Sequence, residues 1–86
     1  MSSNTLIPPV VGHIEVLVLD AKTGKPLIGA NIYTDDFSFS TATDRDGKAL
    51  LVGLTNRKEV NFSYLGYTKV RASIDKIKRQ NGIIKL

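Results

Sequence analysis

The sequence predicts an all-β chain, a small antiparallel Greek-key β-sandwich of six or seven strands. Three observations carry that expectation. Apolar residues recur at every second position, the runs that show this are short, and clusters of Asp, Asn, Gly and Pro separate them. The 86 residues, 42% of them hydrophobic and none a cysteine, suffice for one core held without disulfides or thiolate metal sites. A two-domain enzyme is excluded by size.

Residues 1–9 (MSSNTLIPP) carry no basic region, no long apolar run and no small-residue cleavage site, so they do not read as a signal peptide. No apolar stretch is long enough to mark a membrane-spanning helix. Pro8 and Pro9 impose extended backbone, and residues 1–11 are expected to form an arm ahead of a domain over residues 12–86. In residues 13–20, Ile14, Val16 and Val18 alternate with His13, Glu15, Leu17 and Leu19, which makes a first strand with one strongly apolar face. Asp20, Gly24 and Pro26 supply turn chemistry. A second extended run, residues 27–34, sets Ala30, Ile32 and Thr34 against Asn31 and Tyr33.

Asp35 and Asp36 read as a solvated turn, and residues 37–43 (FSFSTAT) as a third strand with Ser38 and Ser40 facing outward. Asp44 and Gly47 mark a tight turn before a fourth strand, residues 48–54. Residues 59–65 alternate Val60, Phe62 and Tyr64 with Glu59, Asn61 and Ser63. Gly66 is expected to bend the chain where a side chain would clash. Residues 67–75 set Val70, Ala72 and Ile74 against Lys69, Arg71 and Ser73, and residues 83–86 form the last strand. Residues 74–78 fit a helical turn as well as an extended continuation, and the pattern leaves both open.

Chemistry-bearing constellations are sparse. His13 is the only histidine, with Glu15 on the same strand face, but no Gly-x-Ser-x-Gly elbow accompanies it. Asp44 and Asp46 beside Gly47 suggest a calcium loop only superficially, because Ala42 and Gly53 would then occupy its first and twelfth ligand positions. Asn61-Phe62-Ser63 matches a glycosylation acceptor inside an expected strand, where it carries little weight. No catalytic set, metal site or cofactor is expected.

The net charge of +4 is unevenly placed: residues 1–46 hold three basic and six acidic residues, residues 47–86 nine and two. The halves therefore carry −3 and +7. Lys69, Arg71, Lys76, Lys78, Arg79 and Lys85 gather near the end, and Lys69 and Arg71 share a strand face. Lys69, Arg71, Lys78 and Arg79, with Pro8 and Pro9 of the arm, are the candidate partner-binding residues. Such a cluster fits phosphate or an acidic protein surface and equally fits simple solubility; a protein partner or larger assembly is expected. Specific nucleic-acid binding is not expected, since aromatic interleaving is slight and no recognition motif is present.

Three segments in order carry a family resemblance: Asp20-x-x-Thr23-Gly24-Lys25-Pro26-Leu27-x-Gly29-Ala30-x-Ile32, then Thr43-Asp44-x-x-Gly47, then Phe62-Ser63-Tyr64-Leu65-Gly66-Tyr67. Together they resemble the carboxypeptidase-regulatory-like (CarboxypepD_reg-like) domains of the transthyretin-like fold, found at the N-terminus of TonB-dependent transporters and in surface proteins of Bacteroidota. The resemblance covers residues 13–86. It implies a non-catalytic interaction or scaffold module in a periplasmic or cell-surface setting. It also marks Gly24, Pro26, Gly29, Asp44, Gly47, Gly66 and Tyr67 as fold determinants, with Gly29-Ala30 allowing a close strand approach and the Tyr67 hydroxyl seeking a buried partner.

A contrasting expectation is a structural component of a bacteriophage virion or other assembly, suggested by Met1, the lack of a leader and the arm. The remote enzymatic alternative is the transthyretin-related 5-hydroxyisourate hydrolase. Leu17 stands where that enzyme's histidine would be, and the chain ends Ile83-Ile84-Lys85-Leu86 in place of its Tyr-Arg-Gly-Ser. The oligomeric state is left open.

Overall fold

The computed structural model describes residues 13–86; the expected arm, with Pro8 and Pro9, lies outside the described residues. Seven strands and one short helix follow in the order β1 (Ile14–Leu19), β2 (Asn31–Thr34), β3 (Ser40–Ala42), β4 (Lys48–Leu51), β5 (Glu59–Ser63), β6 (Val70–Ser73), α1 (Ile74–Arg79) and β7 (Ile83–Lys85). They form two sheets, β4-β1-β7 and β3-β2-β5-β6. The core lies between them. Val16 and Val18 of β1, Leu51 of β4 and Ile84 of β7 meet Ile32 of β2, Val60 and Phe62 of β5 and Ala72 of β6.

The inward faces are those the alternation predicts, because side chains two apart on a strand share a face. Buried Leu27 and Ala30 extend the core into the β1–β2 connection. The helical option at residue 74 is the one adopted. Ser73 caps α1, its hydroxyl accepting from the Lys76 N–H at 3.2 Å. Ile74 and Ile77, three apart, are the helix's two buried residues.

Three expectations need correction. The sandwich is not wholly antiparallel, because β7 pairs with β1 in parallel, Val18 opposite Ile84. A parallel neighbour needs a long connection, and α1 supplies the last leg of it as the chain crosses from β6 in one sheet to β7 in the other. The third strand is also shorter than expected. Residues 35–38 form the hairpin turn, with the Phe37 N–H donating to the Thr34 carbonyl at 2.9 Å, so Ser38 is a turn residue. Asn61, expected outward, is 1% exposed. It lies opposite Tyr33 on one side and Arg71 on the other. Its side-chain amide donates to the Tyr33 carbonyl at 3.1 Å and to Asp35 Oδ1 at 2.7 Å, while its own Oδ1 has no bonding partner among the described residues.

Gly82 makes the parallel pair possible. Its φ of +76° is left-handed, and a Cβ there would collide with the Glu15 carbonyl oxygen. The Leu17 N–H donates to the Gly82 carbonyl at 2.8 Å in the same place. Overpacking and left-handed strain together make Gly82→Ala cost about 2 to 4 kcal/mol. Gly29→Ala, at similar φ but with open space, is expected to cost about 1 kcal/mol. Urea unfolding of the two variants checks this, and equal losses would show that β7 does not need the close approach.

Candidate docking surface

The three turn segments singled out in the sequence meet at one end of β1. Pro26 bridges to Leu19, and the Leu27 N–H donates to the Val18 carbonyl at 2.9 Å. From the second segment, Gly47 accepts from the Val18 N–H at 2.8 Å; a Cβ on Gly47 would lie 2.6 Å from that of Pro26. Asp44 closes this turn by accepting from the Asp46 and Lys48 N–H groups at 2.8 and 3.0 Å. From the third segment, the Tyr67 hydroxyl donates to Asp20 Oδ2 at 2.5 Å, while Asp20 Oδ1 accepts from the Lys22 and Thr23 N–H groups at 2.7 and 2.9 Å. Residues 17–86 match the family model described as CarboxypepD_reg-like domain. The chain belongs to that family. No curated protein and no solved structure matches it.

CarboxypepD_reg-like domains are β-sandwich modules of a regulatory, non-catalytic kind. Here the residues that resemble the family's are absorbed in holding turns. Two of them do so differently from the expectation. Gly29 and Gly66 have φ of +77° and +89°, and a Cβ on either would meet nothing within 4 Å, so backbone conformation and not crowding calls for glycine. Gly24, at φ +75°, fits the turn as expected. Tyr67 also packs edge-on against Tyr64, ring centroids 5.4 Å apart.

The candidate partner-binding residues fall into different settings. Arg71 lies between two carboxylates, paired with Asp35 and, through Nε at 2.8 Å, with Glu59. Lys58 pairs with Asp36 at 3.2 Å. Asp36 also accepts from Ser38 and Thr34, and these bonds hold its carboxyl far below the usual carboxylate range. Asp35 and Asp36, read as solvated, thus neutralise part of the basic half. Arg79 pairs with Asp75 one helical turn back at 3.6 Å, and Lys78 donates to the Asn56 side-chain oxygen at 2.8 Å.

Lys69, just before β6, and Lys76 and Lys85 form no ion pair among the described residues. Lys76 and Lys85 border a cleft of about 420 Å³ that opens between β6 and β7, with Val70, Ala72, Ile83 and Ile84 as its apolar lining and Gln80 of α1 at the rim. Both strands are outermost in their sheets. His13 lies exposed before β1, and no three His, Asp or Glu side chains gather at metal-binding distance among the described residues. No helix among them is long and apolar enough to cross a membrane.

The Asp20–Tyr67 bond carries a pH signature. The Tyr67 hydroxyl, then the Thr23 and Lys22 N–H groups, stabilise the charged carboxylate and lower the Asp20 pKa from its ordinary 3.8. The same bond to Asp20 raises that of Tyr67 above its ordinary 10.0. A lowered acid contributes stability that is present above pH 3.8 and lost as pH falls through the folded value. A raised phenol contributes stability present below pH 10.0 and lost as pH rises through the folded value. Tyr67→Phe is therefore expected to lower the urea midpoint at neutral pH and to flatten both limbs of its pH profile. Limbs unchanged from the parent would show that the bond does not contribute.

Proposed function

We propose that this domain is a non-catalytic interaction module that docks an extended, acidic segment of a partner protein along the open side between β6 and β7. The observation that carries the reading is that, among the described residues, two outermost strands border a cleft whose lysines form no ion pair. An outermost strand presents backbone N–H and C=O groups to an incoming strand, and such addition supplies affinity without any special side chain. The cleft between β6 and β7 offers apolar surface to alternate residues of that strand, through Val70 and Ile83. Lys76 and Lys85 at its border, with Lys69 near its start, favour carboxylates on the residues between. Arg71, Lys58 and Arg79 already have acidic partners within the chain, whereas Lys76 and Lys85 at this cleft form no ion pair among the described residues.

Selection from a random peptide library on the immobilised domain tests the proposal. The expected consensus alternates Asp or Glu with apolar residues. Its binding should fall at least tenfold in the Lys76→Glu/Lys85→Glu double variant, remain in the Lys22→Glu/Lys25→Glu control, and weaken between about 0.05 and about 0.5 M salt. A consensus without acidic residues, or one indifferent to the reversal at the cleft, would overturn the proposal.

A further inference from the structure

Phe37 contributes little to the core and is held at a conformational cost. The residue is 70% exposed, and its backbone sits at φ +57°, in the left-handed region that bulky residues avoid at about 1–2 kcal/mol. Conformations of this kind persist only where neighbouring bonds over-determine them, and they gather at ligand sites. Here the turn is over-determined. Asp36 Oδ1 accepts from the Ser38 N–H at 3.0 Å, the Ser38 hydroxyl at 2.8 Å and the Thr34 hydroxyl at 2.9 Å. The Phe39 N–H donates to Thr34 Oγ1 at 3.1 Å, and Lys58 holds the second carboxylate oxygen of Asp36.

What this turn presents is the exposed ring of Phe37, stacked on Tyr33. The Phe37 ring lies parallel to that of Tyr33, centroids 5.1 Å apart and planes 7° from parallel. The backbone of Tyr33 is held in β2, its carbonyl accepting from the side-chain amide of buried Asn61. Beside the pair runs an open groove of about 590 Å³ over β2 and β3, where Asn31 and Ser40 offer amide and hydroxyl groups and Ala42 an aliphatic surface. Among the described residues no charged side chain lines it. Arg71, on the same sheet, is held by Asp35 and Glu59.

We propose that this groove binds a neutral saccharide. An aromatic face attracts the slightly positive C–H face of a pyranose ring, and uncharged hydroxyl and amide groups suit its hydroxyls. An anionic ligand would need a cation that the lining lacks. This site lies on β2 and β3, does not depend on the cleft between β6 and β7, and stands whether or not a peptide docks there.

Affinity electrophoresis of the domain through gels containing soluble starch, xyloglucan, glucomannan, a linear β-1,3-glucan or polygalacturonate tests it. Retardation by at least one of the four neutral polymers is expected. Phe37→Gly, which suits the left-handed backbone and keeps the domain folded, should reduce that retardation at least tenfold, while Phe37→Trp should retain it. Lys76→Glu/Lys85→Glu should leave it unchanged. Thermal unfolding of Phe37→Gly with a midpoint no lower than the parent's separates loss of the ring from loss of the fold. No retardation by any neutral polymer, retardation by polygalacturonate alone, or undiminished retardation of Phe37→Gly would each overturn the proposal.

Discussion

Both backbone groups of Val18 are taken by turns distant in sequence: its N–H by the Gly47 carbonyl at 2.8 Å, its carbonyl by the Leu27 N–H at 2.9 Å. Val18 is also wholly buried, and β7 lies alongside it in parallel. A strand so placed cannot shift by one residue without moving its apolar side chains to the outer face and breaking both bonds. The turn from Asp20 to Pro26, the turn from Asp44 to Gly47 and the corner at Tyr67 are each adjusted to this end of β1. That is why the residues resembling the family's are Asp, Gly, Pro and Tyr and not reactive groups.

This commitment has a consequence for function. Residues that hold β1 are unavailable for chemistry, and what remains is the periphery: outermost strands, the hairpin between β2 and β3, and lysines without acidic partners. Charge is sorted in the same way. The acidic first half supplies Asp35 and Asp36 to Arg71 and Lys58, both from the basic second half. Exposed pairs of this kind contribute little to stability, but they remove positive charge from one sheet's outer face. The two proposed surfaces differ accordingly: among the described residues the cleft bears lysines without ion pairs and the aromatic groove has no charged lining residue.

Much of this fold is legible locally. Alternation in β1, β2, β5 and β6 places their buried residues, because one face of each meets the core. Tyr67 was legible as a residue in search of a hydroxyl partner, though not that the partner is Asp20. The failures share a cause: each depends on residues far away along the chain. The parallel seat of β7 rests on Gly82 passing the carbonyl of Glu15, a residue far earlier in the chain that nothing local to Gly82 points to. Asn61 looks outward by its position in β5 and is buried by neighbours from β2 and β6. Arg71 reads as a free cation until Asp35 and Glu59 are placed beside it. The strained turn at Phe37 carries no glycine or asparagine to announce a positive φ, and its only local sign is the Asp36-x-Ser38 spacing.

Native-state hydrogen exchange tests the central claim, that the meeting of three turns on β1 is the common support of the fold. The Leu17, Val18, Leu27 and Leu86 amides donate to Gly82, Gly47, Val18 and Leu19 respectively. If these contacts form one cooperative unit, all four amides exchange only through global unfolding, with opening free energies equal to the stability measured by urea. Exchange of the Val18 and Leu27 amides through a smaller, local opening, while the β5 amides remain protected, would contradict the claim.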